Sequence, residues 1–579
     1  MNKTPNYDAK VRNLLDTVKS GEERTCSRTG EKWTVTEREI DWCRKFNVPV
    51  SSMSPLARWK TLGGHLFGYE WWWNKHAETG TPILTYVHPA SGVNVLPDAE
   101  WLEKDFRSHA RDFDMSQSFA DQLLALRKEI PAKAFFNVKD PKNSIALISD
   151  GDVNSYFMIA CKAKNSFYSS DLFEGELCTE IYAGKHITSS VNVVHAERIH
   201  NSRYIRESYD CSNSAFLFDC RNCEYCFGAT NKRNKKYVWF NEQLTEDEYK
   251  VRMKDVDLGK RSEWQKWERK FLELMERDGA WPENFSEKIA NCTGEYLTNC
   301  TNCEYCFMGW NGSKDNEHCF YLFASEGNYF VVGSFYPTRS YQCSSTSESD
   351  GCKFCVNVLR CQKLEYALNC QNCEDCFGCV GLNRQKFCIF NKQYMEEEYW
   401  KKLDEIKCAM LERGEYGDVL SGAFSTSHFL ETGAQESLGV VEADAEPLGF
   451  KMFDRESAGA IGELGDVSEL TNSSEVPDSI DDLDVDAWAG KPMFDEATGR
   501  KFAFLKPELN YYKQHRVAPP TKHFMRRVDE LYWAANDFHL VDAACHKCSK
   551  SIQVAPNRTY KNRRHLCRSC YLAFLEKNG

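Results

Sequence analysis

The segment Asn222–Tyr249, NCEYCFGATNKRNKKYVWFNEQLTEDEY, returns without a gap 150 residues later as NCEDCFGCVGLNRQKFCIFNKQYMEEEY, Asn372–Tyr399. Cys223, Cys226, Phe227, Gly228, Asn241, Gln243, Glu248 and Tyr249 recur at Cys373, Cys376, Phe377, Gly378, Asn391, Gln393, Glu398 and Tyr399. A duplicated unit constrains the fold strongly, because a repeat that cannot bury its own apolar face must stack on its neighbour. A shorter phrase runs through the same region: Asn, then Ser or Cys, any residue, then an aromatic. It reads NSYF at Asn154, NSFY at Asn165, NSRY at Asn201, NSAF at Asn213, and NCEY at Asn222 and Asn302. Several neighbouring copies lie 9 to 12 residues apart, too close for a helix pair or a propeller blade. That length suits half a turn or one short rung of a parallel β-solenoid. Residues 151–241 and 291–391 are read as its two halves. Asparagines at equivalent corners would form a ladder, with aromatics and cysteines stacked inside.

Helical signals interrupt this pattern. Thr245-Glu-Asp-Glu248 is a capping box, and Trp264, Trp267, Phe271 and Leu274 share one helical face in the run from Ser262. A helical insertion over 242–290 and a capping helix over 392–414 follow from this, and they are expected to shield solenoid edges. A second duplication joins the two ends of the chain at an offset of 469. Thr29, Gly30, Lys32, Glu39, Val48, Arg58, Leu62 and Ile83 match Thr498, Gly499, Lys501, Glu508, Val517, Arg527, Leu531 and Ile552, with Trp42 opposite Tyr511. One small α+β module therefore occupies 1–110 and again 491–579, with a helical connector over 111–150. The fold class expected is mainly β: a Cys- and Asn-rich solenoid with helical insertions, flanked by two related modules.

The net charge of -12 over 579 residues is unevenly placed. Lys491–Gly579 holds 17 Lys and Arg against 8 Asp and Glu, whereas 415–490 holds 18 acidic residues against Lys451 and Arg455. The latter stretch lacks apolar periodicity and reads as an acidic flexible linker, with Gly449–Glu456 able to dock and the rest able to fold back onto basic groups. No run approaches the ~20 apolar residues of a membrane helix, and the polar N-terminus lacks a secretory core. A cytoplasmic, reducing location is expected, in which the 27 cysteines are metal ligands or small buried hydrophobes rather than disulfides.

Cys545, Cys548, Cys567 and Cys570 form C-x2-C-x18-C-x2-C. Two such turns supply four soft ligands for one zinc ion and leave no open position, so the site is structural and resembles a zinc ribbon or treble clef. At the offset of 469 the same positions become His76, Thr79, Asp98 and Trp101, which cannot complete a zinc shell. The first copy must then be metal-free, with Trp71, Trp72, Trp73, Tyr86 and Trp101 as its core. Around the C-terminal turns, Arg558, Lys561, Arg563, Arg564 and Arg568 form a basic cluster that could meet nucleic-acid phosphates or remain a solvated face. The C-x-x-C-x-x-C runs at Cys220, Cys300 and Cys370 resemble iron–sulfur spacing. Because they coincide with the Asn phrase, they read better as stacked thiols at tight corners.

Phosphate-loop, zincin, nucleophile-elbow and dinucleotide motifs are absent from the sequence. The phrases Asn372–Tyr399 and ELNYYKQHRVAPPTKHF from Glu508, followed by the C-terminal cysteine turns, resemble a family of cysteine-rich repeat and zinc-ribbon proteins from uncultured small-genome bacteria and phages. The resemblance covers most of the chain outside the acidic stretch and implies no mechanism. Some relatives carry a CoA-transferase label, for which no motif stands here, and the weak N-terminal ligand set departs from the relatives. The function expected is a non-enzymatic zinc-binding scaffold with a protein or nucleic-acid partner. The alternative is a carbohydrate-active enzyme or virion structural protein built on a β-solenoid.

Overall fold

The computed structural model describes residues 3–176, 179–185, 187, 190–347, 349–360, 362–454 and 470–579. The chain divides into two discontinuous units. One unites Met1–Glu70 and Asn74–Ala134 with Ser286–Asp454, and the other unites Trp71–Trp73 and Phe135–Phe285 with Arg455–Gly579. Each unit thus combines one end module with one parallel strand stack. The structure is 30% helical and 28% strand, so the expectation of a mainly β chain is corrected to a mixed one. The reason is that the modules, the insertion and the segment after the second stack bring their own helices, including Arg261–Asp278 in the insertion and Glu396–Glu412 after the stack. No described helix is long and apolar enough to cross a membrane.

Each stack is ordered by sequence. From Ile145 to Trp239 successive strands pair in parallel, and the hairpin strand Glu242–Gln243 closes the series antiparallel. Most partners are 12 residues apart: Val191 faces Arg203, Arg203 faces Ala215, and Ala215 faces Phe227. The other unit repeats this step, with Glu317 on Tyr329, Tyr329 on Tyr341, and Glu374 on Lys386. Twelve residues are too few for a helical crossover between parallel strands, so the chain turns by local backbone bends instead. Every third residue is left-handed: Asn201, Tyr204, Glu207, Asp210, Asn213, Phe216, Asp219, Asn222 and Tyr225 have φ between 44° and 58°.

This geometry explains the repeated phrase. Asn is the residue that tolerates the left-handed region best after Gly, and the aromatic three positions later occupies the next left-handed site. The residue following each left-handed one is buried in a small-residue core containing Ile205, Cys211, Leu217, Cys220, Cys223 and Cys226. Inward Ser and Cys do the same work. Ser208 Oγ donates to Arg206 O at 2.9 Å and accepts from Cys220 N at 2.8 Å, and Cys220 Sγ contacts Phe218 O at 3.5 Å. The asparagine ladder forms on the outside: Asn143 reaches Asn154 at 2.9 Å, Asn201 reaches Asn213 at 2.9 Å, and Asn222 reaches Asn234 at 2.7 Å.

The aromatics, expected inside with the cysteines, are not there. The core clusters of both stacks contain cysteines and aliphatics without rings, because the inward triplet position has room only for small side chains. The rings instead form an outer face. Trp267 and Phe271 of helix Arg261–Asp278 pack on Phe227 and Phe216, so that helix lies over the face rather than over a strand edge. Each module seats a buried ion pair against its own stack. Arg58 bonds Glu39 at 2.7 Å with its guanidinium 4.2 Å from the Phe330 ring, and Arg527 lies 3.6 Å from Glu508 and 4.9 Å from the Tyr168 ring.

The acidic stretch expected to be a flexible linker is ordered over much of its length. Tyr416, Leu420, Phe424, Phe429, Leu448 and Phe450 are buried. In helix Pro55–His65 a Cβ on Gly64 would come within 2.3 Å of Phe450 Cζ. Apolar residues dispersed between the acids supply these contacts without a regular period. Residues 455–469 lie outside the described residues.

The equivalence of thiol and hydroxyl yields a prediction. Cys220→Ser should change stability by no more than about 1 kcal/mol, because the hydroxyl repeats the contact made by Ser208. Cys220→Leu should cost about 1–3 kcal/mol through overpacking. Denaturant midpoints of the reduced full chain check the pair, and equal costs would contradict the inward placement.

Candidate metal centre

The C-terminal cysteines sit on a turn and a helix start. Strands Val541–Ala544 and Ser551–Val554 form an antiparallel hairpin whose turn carries Cys545 and Cys548. Cys545 N donates to Lys550 O at 2.9 Å and Ser549 N to Cys545 O at 2.8 Å, with Ser549 left-handed at φ 61°. Cys567 caps helix Arg568–Asn578, which places Cys570 in its first turn. The strand pairing of His565–Leu566 with Trp281–Pro282 ties this second pair to the end of helix Arg261–Asp278. Tyr571 adds a contact from the same helix, with its hydroxyl bonded to Asp219 and 2.9 Å from Arg233 Nη2.

The four Sγ atoms lie within 4.8 Å of one another, so these residues could hold a metal ion. Cys545 and Cys567 are buried, Cys570 is half-buried and Cys548 is exposed. Burial raises the Cys545 thiol, but backbone N–H groups of Cys567, Cys548 and Lys547 outweigh it and hold the thiol down at about 6. Cys567 beside it pushes the Cys570 thiol up to about 12. Thiolates are favoured where backbone donors converge, which is what a metal ligand set needs. Among the described residues no comparable group forms from the C-x-x-C-x-x-C runs.

The expected N-terminal counterpart has the same backbone. His76 N donates to Thr81 O at 2.8 Å and Gly80 N to His76 O at 2.9 Å, with Gly80 at φ 73°. In place of a thiolate, His76 Nδ1 accepts from Glu78 N and Thr79 N at 3.2 and 3.3 Å, and Nε2 is 3.0 Å from Glu100. Asp98 pairs with buried Lys133 at 3.4 Å, and Trp101 is fully buried with its Nε1 on Pro131 O. The imidazole thus accepts the N–H groups that its counterpart thiolate accepts at Cys545.

Two further turns of this kind were not read from the sequence. At Cys26 the bonds run Cys26 N to Glu31 O at 2.8 Å and Gly30 N to Cys26 O at 3.0 Å. At Asp495 they run Asp495 N to Arg500 O at 2.8 Å and Gly499 N to Asp495 O at 2.7 Å. Asp495 also accepts from Ala497 N and from His523 N, both at 3.0 Å, and His523 caps helix Phe524–Ala534. Ser54 holds the corresponding cap position on helix Pro55–His65. Each module therefore contains two turn-and-helix units, and one of the four carries four cysteines. The signal was the Thr-Gly pair at Thr29, Thr79 and Thr498, three residues after the acceptor.

The five cations of the expected nucleic-acid surface are divided. Arg558 pairs with Asp537 at 2.9 Å, Arg563 donates to Asn536 Oδ1 and Ala555 O, and Arg564 donates to Asp278 O. Lys561 and Arg568 are exposed. Comparison with family models, curated proteins and solved structures finds no match.

His76→Ala should cost about 1–3 kcal/mol, because two turn N–H groups lose their acceptor. His76→Asp, which imports the acceptor used at Asp495, should recover most of that loss. Thermal melts of the full chain test this, and a neutral His76→Ala would contradict the role.

Proposed function

We propose that this protein is a zinc-stapled binding scaffold rather than an enzyme, with its parallel stacks forming two halves of a β-solenoid. The observation that carries the metal reading is the all-cysteine tetrad. A tetrahedron of ~2.3 Å zinc–sulfur bonds has edges of ~3.8 Å, and Cys548 Sγ is 3.7 Å from Cys567 Sγ. Four thiolates complete the shell and leave no position for a substrate or an activated water, so the ion is structural. A hairpin turn joined to a helix N-terminus makes the module treble-clef-like.

Support for the solenoid comes from the 12-residue step and the left-handed triplets, which divide each step into four short sides. The kinship with cysteine-rich proteins of small-genome bacteria and phages belongs to the same reading, resting on Asn372–Tyr399 and the cysteine turns. So does a reducing, cytoplasmic location, in which the inward thiols stay unoxidised. Nucleic-acid contact would fall to Lys561 and Arg568, because Arg558, Arg563 and Arg564 are engaged by their own unit.

Elemental analysis of purified full-length protein should find close to one zinc per chain. Chelation or Cys567→Ala should expose residues 541–579 to hydrogen exchange while the strand stacks stay protected. Three or more metals per chain, or visible absorbance from iron, would show that the C-x-x-C-x-x-C runs are ligands.

A further inference from the structure

A cleft of about 320 Å³ lies wholly within the unit that contains residues 135–285 and 455–579. Its walls come from the strand stack, from helix Arg261–Asp278, and from the module loop Val517–Lys522 with helix Phe524–Ala534. The internal duplication explains why it is open. Arg527 lies over Tyr168 as Arg58 lies over Phe330, and Tyr511 meets Phe167 as Trp42 meets Tyr329. These pairs set the two stacks in register, 330 against 168 and 329 against 167, a shift of 162.

On that register Thr179 and Asn192 stand where the other unit has Tyr341 and Phe354, and Tyr204 stands where it has Tyr366. In that other unit the chain covers its own aromatic face. Tyr416 packs edge-on against Phe354 and Tyr366, both at 5.6 Å, and Gly417 N donates to the Tyr366 hydroxyl at 2.9 Å. Here two large rings are replaced by small side chains, and Tyr204 borders the cleft with the Trp264 ring 6.2 Å away.

The cleft has polar groups that the protein leaves unused. Thr179 Oγ1, on a residue 1% exposed, and Arg527 Nε have no hydrogen-bond partner among the described residues. Buried polar atoms are ordinarily bonded, so such orphans point to a missing partner. The charges are equal in number but unevenly paired: Arg206, Arg261, Lys522 and Arg527 stand with Glu180, Glu268, Glu508 and Glu530. Arg527 is matched by Glu180 and Glu508, and Lys522 by Glu530. Arg206 and Arg261 have no carboxylate within ion-pair distance among the described residues. Arg206 is buried over the Tyr204 ring at 3.8 Å and held by Asn192 Oδ1 at 2.7 Å and the Tyr560 hydroxyl at 3.2 Å. Arg261 donates to the carbonyls of Val476, Pro477 and Pro519. Glu268, also on the cleft, offsets one of these two cations.

We propose that this cleft binds a small organic anion with a flat ring, of nucleoside monophosphate class. The ring lies against Trp264 and Tyr204, the anionic group faces Arg206 and Arg261, and Thr179 Oγ1 and Arg527 Nε supply the open hydrogen bonds. The volume falls at the lower end of small-molecule sites, about 300–1,000 Å³. This site is independent of the zinc centre and would stand if no zinc were found.

The test is calorimetry and thermal shift on the full-length protein with AMP, adenosine and inorganic phosphate. AMP should bind saturably and about tenfold or more tightly than either fragment. Thr179→Tyr, which restores the residue of the covered copy, should abolish binding without lowering the melting temperature. Arg206→Gln should weaken AMP by about tenfold or more while leaving adenosine unchanged. Equal binding of AMP and adenosine would overturn the anion assignment. Absence of AMP binding at millimolar concentration, or unchanged binding in Thr179→Tyr, would overturn the site.

Discussion

A left-handed residue at every third position is the constraint on which the two stacks depend. For L-residues this conformation costs roughly 1–2 kcal/mol each, so the nine sites from Asn201 to Tyr225 oppose folding by on the order of 10 kcal/mol. Interstrand hydrogen bonds offset the cost. The N–H of Asn213 donates to His200 O at 3.0 Å and that of Asn222 to Tyr209 O at 3.1 Å, each reaching 13 residues back. Tight bends at this interval leave little space inside, and Ser, Cys, Ala, Val, Ile and Leu fill it. The rings are forced outward, and the outward rings create the surface on which helices and modules dock.

The two end modules build one small turn with different side chains. All four turns share one backbone pattern and present an acceptor from the first residue: Cys26, His76, Asp495 or Cys545. A neutral imidazole or a carboxylate serves where a neighbouring side chain completes the site, as Glu100 does for His76. Four thiolates at the last turn repel one another unless a cation sits between them. On the proposed reading, metal dependence would fall on the last turn alone, where all four positions are cysteine.

Much of this was legible in the sequence, for physical reasons. The 150-residue repeat, the capping box at Thr245, the Glu39–Arg58 and Glu508–Arg527 correspondence and the cysteine tetrad are local or periodic signals. The outward aromatics were misplaced, because the spacing of the repeated phrase does not say which position of each triplet faces inward, and only the small residue after each left-handed one does. The ordered part of the acidic stretch was missed because its contacts, Phe450 on Gly64, His65 and Phe429, join residues far apart in sequence and leave no regular spacing. The cleft was invisible because it depends on Thr179 and Asn192 aligning with Tyr341 and Phe354, a register fixed only by three-dimensional contacts.

The central claim is that the stack cysteines are reduced, metal-free thiols filling the inward positions. Differential alkylation of native and denatured full-length protein, read residue by residue by mass spectrometry, tests it most directly. The account predicts that Cys220, Cys223, Cys226, Cys300, Cys303, Cys306, Cys370, Cys373, Cys376 and Cys379 stay unmodified in the native state and all react once unfolded under chelation without reductant. Half-buried Cys408 should react early. Native-state labelling of the stack cysteines, or failure to label them after unfolding because they are disulfide-bonded, would contradict it.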